Sequence, residues 1–205
     1  MNKKIYVVRH GQTDFNKQGI VQGSGVDSSL NGKGRAQANA FFEQYQHLPF
    51  EVLITSKLLR THETMNSFIQ KGIPWEQNEW INEIGWGIHE GKRNTEAMHL
   101  EYKKMIQQWL NGNYQARLEQ GESAQELGDR MTAFLDHLKH RNEQQILVCS
   151  HGRAMRCMMA LMKGGTLSDM EKYKHSNTGL YVVNWIDGRF QFELENDTSH
   201  LASLF

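Results

Sequence analysis

Two short apolar runs in this sequence end in the same dipeptide, His-Gly. The run 5–8 leads into Arg9-His10-Gly11, and the run 145–149 leads into Ser150-His151-Gly152. Both runs contain β-branched residues and stop at an abrupt polar turn, which is typical of buried strands. If the two strands are parallel neighbours, both imidazoles lie at one sheet edge, outside the carboxyl ends of the strands, where open α/β sheets bind ligands.

A third apolar run, 51–56, leads into a predicted helix that carries Arg60 in its first turn. Arg9 and Arg60 are then both expected near the same sheet edge. Planar guanidinium groups bind phosphate oxygens through paired hydrogen bonds, and helix N-termini add backbone donors for anions. Gly11 has no Cβ, so the backbone can come close to a bound group. These features together predict an oxyanion or phosphate site.

The rest of the chain alternates between helix and strand patterns. Apolar spacing predicts one helix over 33–45, with Ala36, Ala40 and Phe41 on one side, and another that follows Ser56. Three more helices are predicted over 96–110, over 123–140 and directly after His151. Ser123 and Glu126 have the spacing of a capping box for the helix that they begin.

Two final strands, 180–186 and 190–194, are predicted to form a hairpin at Asp187-Gly188. The order strand, helix, strand in the first half implies parallel pairing with right-handed crossovers. We therefore expect one α/β domain over residues 1–205, with a three-layer, doubly wound, mostly parallel central sheet and helices on both faces.

Composition excludes several classes of function. The formal net charge is zero and the pI is about 7.2, which argues against a nucleic-acid or membrane binder, because those need a basic face. The first strand begins without a preceding apolar signal segment and no run approaches a membrane span, which predicts a cytoplasmic protein. Cys149 and Cys157 are predicted to be buried free thiols.

Six polar motifs follow one another between Arg9 and Gly152. In order, they are Arg9-His10-Gly11-Gln12-Thr13 with Asn16, Gln22-Gly23, Ser56-x-Leu58-x-Arg60-Thr61-x-x-Thr64, Asn82-Glu83-Ile84-x-x-Gly87-x-x-Glu90-Gly91, Gly121-Glu122-Ser123, and Ser150-His151-Gly152. In these motifs the chain resembles the histidine phosphatase superfamily, in its phosphoglycerate-mutase-like branch. The resemblance implies the phosphoglycerate-mutase-like fold and covers nearly the whole chain.

The resemblance also implies roles for individual residues. His10 would be the nucleophile that forms a phosphohistidine, with its other ring nitrogen held by the Gly11 carbonyl. Glu83 would protonate the leaving oxygen and then accept a proton from the attacking water. His151 would stabilise the transferring group, and Arg9 and Arg60 would clamp the phosphate oxygens.

Four further residues complete the predicted phosphate pocket by resemblance: Asn16, Gln22, Gly23 and Gly152. Asn16 and Gln22 would contribute side-chain amide donors. The resemblance implies no cofactor, and we expect no metal. His137-x-x-His140 could contribute metal ligands from a helix, but no Cys or acidic partner completes a set, and His62-Glu63 lacks a second His.

The chain departs from the family pattern at three places. Ile20 stands where family phosphatases often have Arg, and Arg153 follows Gly152 where many members have a second Gly. The mutases of the family carry an adjacent Arg pair in an insertion after the acid, and the comparable helix here has 107–110, Gln-Gln-Trp-Leu. The mutase interpretation therefore loses its best support.

These observations favour a phosphomonoesterase of the histidine acid phosphatase type that acts on a small phosphorylated metabolite. A bisphosphoglycerate-dependent phosphoglycerate mutase is the runner-up, and a catalytically silent, phosphoester-binding family member is a third alternative. A helical segment at about 92–121 is expected to cap the pocket, and Lys103 and Lys104 within it are expected to face solvent. The sequence indicates neither the substrate nor the oligomeric state.

Overall fold

A six-stranded sheet forms the centre of the computed structural model, which describes residues 2–204 apart from the side chain of Ser203. Its strands are β1 (Lys3–Arg9), β2 (Val52–Thr55), β3 (Trp75–Gln77), β4 (Gln145–Ser150), β5 (Leu180–Ile186) and β6 (Arg189–Asp197). The order across the sheet is β3-β2-β4-β1-β5-β6. β1 to β4 are mutually parallel, whereas β5 pairs antiparallel with both β1 and β6.

Helices cover both faces of this sheet. They are α1 (Asp14–Gln18), α2 (Gly32–Tyr45), α3 (Leu59–Gln70), α4 (Glu96–Leu110), α5 (Ala124–His140) and α6 (Gly152–Met162). Successive residues of β1 point to opposite faces, so Ile5 and Val7 pack with α5 and α6 while Tyr6 and Val8 pack with α2 and α3. The predicted three-layer α/β architecture with a mostly parallel sheet is confirmed.

The register of the parallel strands decides where the polar motifs meet. β1 pairs with β4 so that Arg9 lies opposite Ser150, and β2 pairs with β4 so that Thr55 lies opposite Cys149. The residues that follow these three strands therefore start from one edge of the sheet. The predicted adjacency of the two His-Gly pairs is confirmed.

Several predicted elements have the expected bounds. The helix over 96–110 is present, and Ser123 and Glu126 form the capping box of α5. β5 and β6 form the predicted hairpin, in which Asp187 and Gly188 have φ angles of 50° and 77°, as a type I′ turn requires.

Two local features differ from the predictions. The five-residue helix α1 was not predicted; Thr13 and Asn16 form its capping box. The buried face of α2 consists of Gly34, Gln37, Ala38 and Phe41, whereas Ala36 and Ala40, predicted to share one side with Phe41, are only half-buried. The reason is a tertiary contact: the Gln12 backbone N–H donates to Gln37 Oε1 at 2.9 Å, which turns this polar residue inward.

Two glycines bring α2 against the loop that follows β1. A Cβ on Gly11 would lie 2.6 Å from the Gly34 carbonyl oxygen, and a Cβ on Gly34 would overlap the Gln12 carbonyl oxygen. Real Cβ atoms do not come this close to backbone atoms, so a side chain at either position would force the helix and the loop apart.

Two predictions from composition concern the buried core and the membrane. Cys149 in β4 and Cys157 in α6 are buried free thiols, and burial raises the pKa of Cys157 to about 12. Within residues 2–204, no helix has both the length and the apolar character that crossing a bilayer requires.

Candidate active site

The carboxyl ends of β1 and β4 bring the two predicted histidines together. The ring centroids of His10 and His151 lie 5.1 Å apart, and both side chains are buried. Arg60 reaches the same place from the first turn of α3, and Arg9 precedes His10 at the end of β1. The structure thus gathers these four predicted catalytic side chains at the sheet edge.

His10 has a fixed tautomer. Its Nδ1 lies 2.7 Å from the Gly11 carbonyl oxygen, and because that oxygen can only accept, Nδ1 carries the hydrogen. The lone pair is therefore on Nε2. The loop itself is held by Thr64 Oγ1, which accepts from the Gly11 N–H at 3.0 Å, and by Asn177 Nδ2, which donates to the His10 carbonyl oxygen at 3.0 Å.

Burial, followed by the positive charges of Arg60 and Arg9, lowers the pKa of His10 well below the ordinary value of a histidine. A neutral imidazole with its lone pair on Nε2 is the form that acts as a nucleophile. The environment therefore keeps His10 uncharged at neutral pH, with its lone pair on Nε2, as the predicted nucleophile requires.

Arg9 has hydrogen-bonding capacity to spare. Its Nη1 donates to the His175 carbonyl oxygen at 3.0 Å, but its buried Nε has no partner among the described residues. Burial lowers the pKa of Arg9 to about 10, with the Glu83 carboxylate acting in the opposite direction, so the side chain stays charged at neutral pH. A buried, charged donor without a partner is costly unless an anion can bind to it.

Arg60 is almost fully buried and holds several groups together. Its Nε donates to His151 Nδ1 at 3.2 Å, Nη1 to the Val26 carbonyl at 2.7 Å and Nη2 to the Gly23 carbonyl at 3.1 Å. A guanidinium has five N–H donors, so two remain beyond these three bonds. Burial lowers the pKa of Arg60, and the Glu83 carboxylate is the largest opposing influence.

His151 has the opposite tautomer to His10. Its Nδ1 accepts from Arg60, so Nε2 carries the hydrogen and donates to Ser56 Oγ at 2.7 Å. Both ring nitrogens are thus engaged by protein groups. A direct bond from His151 to a transferring phosphoryl group requires its Nε2–H to leave Ser56, and the predicted role of His151 stays a prediction.

The Glu83 carboxylate lies at the N-terminus of α6, directly beside the second His-Gly. It accepts backbone hydrogen bonds from Arg153 at 3.1 Å, from Ala154 at 3.0 Å and from Ile84 at 3.0 Å. The side chain is 8% exposed. Three backbone donors therefore fix the orientation of the predicted proton donor.

Arg153 links this acid to α4 through its side chain. Its guanidinium is buried against the aromatic rings of Trp86, Tyr102 and Trp109, with centroid distances of 5.6 to 5.9 Å, and it donates hydrogen bonds to Tyr102 and Glu171. Burial alone would lower the pKa of Arg153, but Tyr102 and Glu171 outweigh it and raise the pKa. One residue thus connects the Glu83 carboxylate, through its backbone, to the predicted cap segment, through its side chain.

The remaining predicted residues are distributed around the cluster. Gln22 Nε2 donates to Thr13 Oγ1 at 2.8 Å, and Asn16 Oδ1 accepts from the Thr13 N–H at 3.2 Å, so both amides order the loop after His10. The Gly23 carbonyl accepts from Arg60, and a Cβ on Gly152 would lie 2.9 Å from the His175 ring. Among residues 2–204, no group of three or more His, Cys, Asp or Glu side chains could hold a metal ion.

Residues 5–198 match the profile of the histidine phosphatase superfamily, branch 1. The chain belongs to the histidine phosphatase superfamily. The resemblance drawn from the six motifs is thereby confirmed.

Relatives cover the chain almost from end to end. "Probable phosphoglycerate mutase GpmB" from Shigella boydii serotype 18 is 29% identical over 205 residues, which cover 97% of this chain and 94% of the relative. The structure of Bacillus stearothermophilus YhfR is 25% identical, covers 97% of this chain and 99% of its own, and has a TM-score of 0.84. Phosphoserine phosphatase from Entamoeba histolytica, in complex with 3-phosphoglyceric acid, is 24% identical with the same coverage and a TM-score of 0.82, which shows a shared fold.

Two residues of the cluster were not found by sequence reasoning in this histidine phosphatase. His175 lies between Arg9 and Gly152, and burial lowers its pKa to about 3. Its distance in sequence from the six motifs gave no signal for this position. Ser56, by contrast, lies inside a motif, and its contact with His151 follows from the neighbouring β2 and β4.

We expect Arg60→Lys to lower kcat/KM for a phosphate monoester by about 10²-fold or more, since removal of one anion donor typically costs about 3 kcal/mol in the transition state. Lysine keeps the charge but loses the planar fork that reaches His151 and two carbonyls. Arg60→Ala should also lower the melting temperature, because it leaves these buried acceptors without a donor.

Thermal denaturation with and without inorganic phosphate checks this interpretation of Arg60. Phosphate should raise the melting temperature of the wild type and have much less effect on Arg60→Lys. Near-normal turnover of Arg60→Lys together with a lowered melting temperature would mean that the residue is structural.

Stability should fall as the pH is lowered below about 6.5. His10 and His151 have lowered pKa values when folded, chiefly through burial, but ordinary values near 6.5 when unfolded. The unfolded chain therefore takes up protons first, and the stability present above pH 6.5 is lost by about 1.4 kcal/mol per pH unit for each buried histidine. Urea denaturation between pH 5.5 and 7.5 measures this slope, which His151→Gln should reduce; no slope in that window would contradict neutral burial.

Proposed function

We propose that this protein is a phosphomonoesterase of the histidine acid phosphatase type, which hydrolyses a small phosphorylated metabolite through a phosphohistidine. One observation carries the proposal: the neutral, oriented His10 lies in a buried cluster with Arg9 and Arg60. Arg9 has a buried donor without a partner, and Arg60 has donors beyond its bonds to the protein. This combination supports binding of a phosphoryl group and attack on it.

In the first step, His10 Nε2 attacks phosphorus and the bond between phosphorus and the ester oxygen breaks. The leaving oxygen takes a proton from Glu83, so an alcohol departs and Glu83 becomes a carboxylate. In the second step, a water gives its proton to Glu83 while its oxygen attacks phosphorus, which releases His10 and phosphate. Arg9 and Arg60 offset the charge on the phosphoryl oxygens in both steps.

Segment 92–121 is proposed as a cap over the leaving-group side of this site. Its helix α4 contributes Tyr102 and Trp109 to the environment of Arg153, whose backbone holds Glu83. A backbone bridge between Ile20 and Arg93 ties the start of the segment to the loop after α1. Lys103 and Lys104 are exposed, as expected of a solvated helix face.

A bisphosphoglycerate-dependent mutase is the second candidate, favoured by the name of the 29% identical relative. A mutase must return the phosphoryl group to a phosphoglycerate, whereas a phosphatase passes it to water.

The small phosphoester partner and the cytoplasmic location expected from the sequence remain predictions.

Release of inorganic phosphate from p-nitrophenyl phosphate and from a panel of sugar phosphates, phosphoglycerates and nucleotides, between pH 5 and 8, tests the proposal. We expect multiple turnovers without added metal and in the presence of EDTA. Interconversion of phosphoglycerates with little phosphate release would favour the mutase. Binding of phosphoesters without any turnover would favour the silent family member.

A further inference from the structure

We infer that the leaving group of the preferred substrate is uncharged and hydroxylated, and that the cleft beside Glu83 disfavours a substrate with a second anionic group. This inference rests on the proposed function, because it concerns the group that departs when Glu83 donates its proton.

The cleft lies beside the phosphate cluster, by which we mean Arg9, His10, Arg60 and His151. It has a volume of about 520 Å³, within the usual range for a small-molecule site, and Glu83 is part of its wall. Ser24 also lines it and directly follows Gly23, whose carbonyl accepts from Arg60. The Glu83 carboxylate influences the pKa values of both Arg9 and Arg60, so an acid that lines the cleft also lies near the two arginines.

The more buried arginine of the cleft makes four hydrogen bonds to protein groups. Arg130 Nε and Nη2 donate to the two carboxylate oxygens of Glu122 at 2.6 and 3.0 Å. Its Nη1 donates to the carbonyl oxygens of Trp80 and Asn82. Less than a fifth of the side-chain surface is exposed in Arg130 and in Glu122, so this bidentate pair is largely shielded from water.

The second arginine of the cleft wall is also paired, and so is the acidic residue Glu79. Arg117 Nη1 lies 3.0 Å from Glu126 Oε1, and Lys57 Nζ lies 2.7 Å from Glu79 Oε2. Three of the four acidic residues of the cleft wall, Glu79, Glu122 and Glu126, thus have a cationic partner, and the fourth is Glu83, which the proposed mechanism protonates. A second carboxylate or phosphate on the substrate would lie beside these carboxylates and find no unpaired cation among the lining residues that the structure describes, since each arginine already has an acidic partner.

Three uncharged polar residues of the cleft wall can form hydrogen bonds with a ligand. Ser24, Asn82 and Gln120 line it with a hydroxyl and two amides. Such groups both donate to and accept from alcohol hydroxyls, and they carry no charge that would attract an anion. A polyol or sugar leaving group matches this wall.

Glycerol 3-phosphate and 3-phosphoglycerate form a matched pair of probes. Both are primary alkyl phosphates with one secondary hydroxyl, and they differ only in a terminal CH₂OH against a carboxylate. We expect kcat/KM for glycerol 3-phosphate to exceed that for 3-phosphoglycerate by about tenfold or more, since like charges in a shared site repel strongly.

Glu126→Gln tests the cause of the preference. Glutamine keeps the capping box of α5, because either Glu or Gln serves at that position, but it releases the charge of Arg117. The ratio of kcat/KM for glycerol 3-phosphate to that for 3-phosphoglycerate should then fall by about two- to fivefold, the size of effect expected for an exposed charge pair. The double variant Arg117→Gln with Glu126→Gln should restore the wild-type ratio.

Glu193→Gln is the matched control. It removes the same charge from an ion pair with Lys4, near the amino end of β1 and therefore away from the phosphate cluster, and it should leave the ratio of the two esters unchanged.

Three results would overturn the inference while the proposed function stands. The first is turnover of 3-phosphoglycerate that equals or exceeds that of glycerol 3-phosphate, and the second is turnover of p-nitrophenyl phosphate without turnover of glycerol 3-phosphate. The third is the same ratio of kcat/KM for the two esters in Glu126→Gln as in Glu193→Gln. No turnover of any ester would refute the proposed function, and this inference with it.

Discussion

Replacing His10 with alanine should abolish phosphoryl transfer, with a loss in kcat of about 10⁴-fold or more, the size seen when an enzyme nucleophile is removed. The physical reason is specific to this imidazole. Its Nδ1 is held by the Gly11 carbonyl and its pKa is lowered, so Nε2 is ready to attack at neutral pH. Neither Arg9 nor Arg60 can replace a lost nucleophile.

Rapid quench with labelled substrate measures this effect directly. The wild type should carry an acid-labile, base-stable phosphoryl label on the peptide that contains His10, and the variant should carry none. His140→Ala is a suitable control, because His140 is an exposed histidine at the C-terminal end of α5, where its Nδ1 lies 2.7 Å from the Asp136 carbonyl oxygen. Full activity in His10→Ala, or a label on Ser or Asp, would refute the nucleophile assignment.

Glu83→Gln should slow transfer in proportion to how much the leaving oxygen needs a proton. An alkyl phosphate leaves as a strongly basic alkoxide, so we expect formation of the phosphoenzyme to slow by ~10² to 10⁴, the usual range for general acid catalysis. p-Nitrophenolate leaves unaided, and its transfer should slow far less. Glutamine keeps an oxygen that can accept from the backbone of Arg153 and Ala154, so the geometry should persist.

Single-turnover kinetics with both substrates separate the two steps of this reaction. Dephosphorylation of His10 should slow equally for both substrates, because the attacking water needs the same base. If phosphoenzyme formation slowed equally for alkyl and aryl phosphates, Glu83 would position the phosphate and the proton donor would lie elsewhere.

The phosphate cluster could be predicted from the sequence because strand order determines it. Strong apolar runs identify β1 and β4, and the parallel pairing of consecutive units leaves few places for the residues after them. His10 and His151 therefore had to meet if the two strands were neighbours, which they are. The family resemblance implied the contact between the His10 ring and the Gly11 carbonyl, whereas the orientation of the His151 ring could not be predicted, since it depends on Arg60 and Ser56 in three dimensions.

The environment of Glu83 could not be predicted from the sequence. Glu83 and Arg153 are 70 residues apart, and no local pattern indicates that the backbone of one holds the carboxylate of the other. Two of the aromatic residues around Arg153, Tyr102 and Trp109, have the spacing of ordinary core positions of α4. Helix α1 was missed because five residues are too few to show a period, and its capping box uses Asn16 in place of Glu or Gln.

Gly34 has a consequence for attempts to stabilise this protein. Glycine in a helix costs up to about 1 kcal/mol relative to alanine, so a survey for thermostabilising changes would select this position early. Here the methyl group of alanine would press on the Gln12 carbonyl, two residues from His10. Helix α2 thus contains a residue of low helix propensity because the neighbouring loop leaves no room for a side chain. The strain of this contact would offset any gain in helix propensity and would also displace the nucleophile, so helix propensity alone is a misleading guide to stabilising substitutions at Gly34.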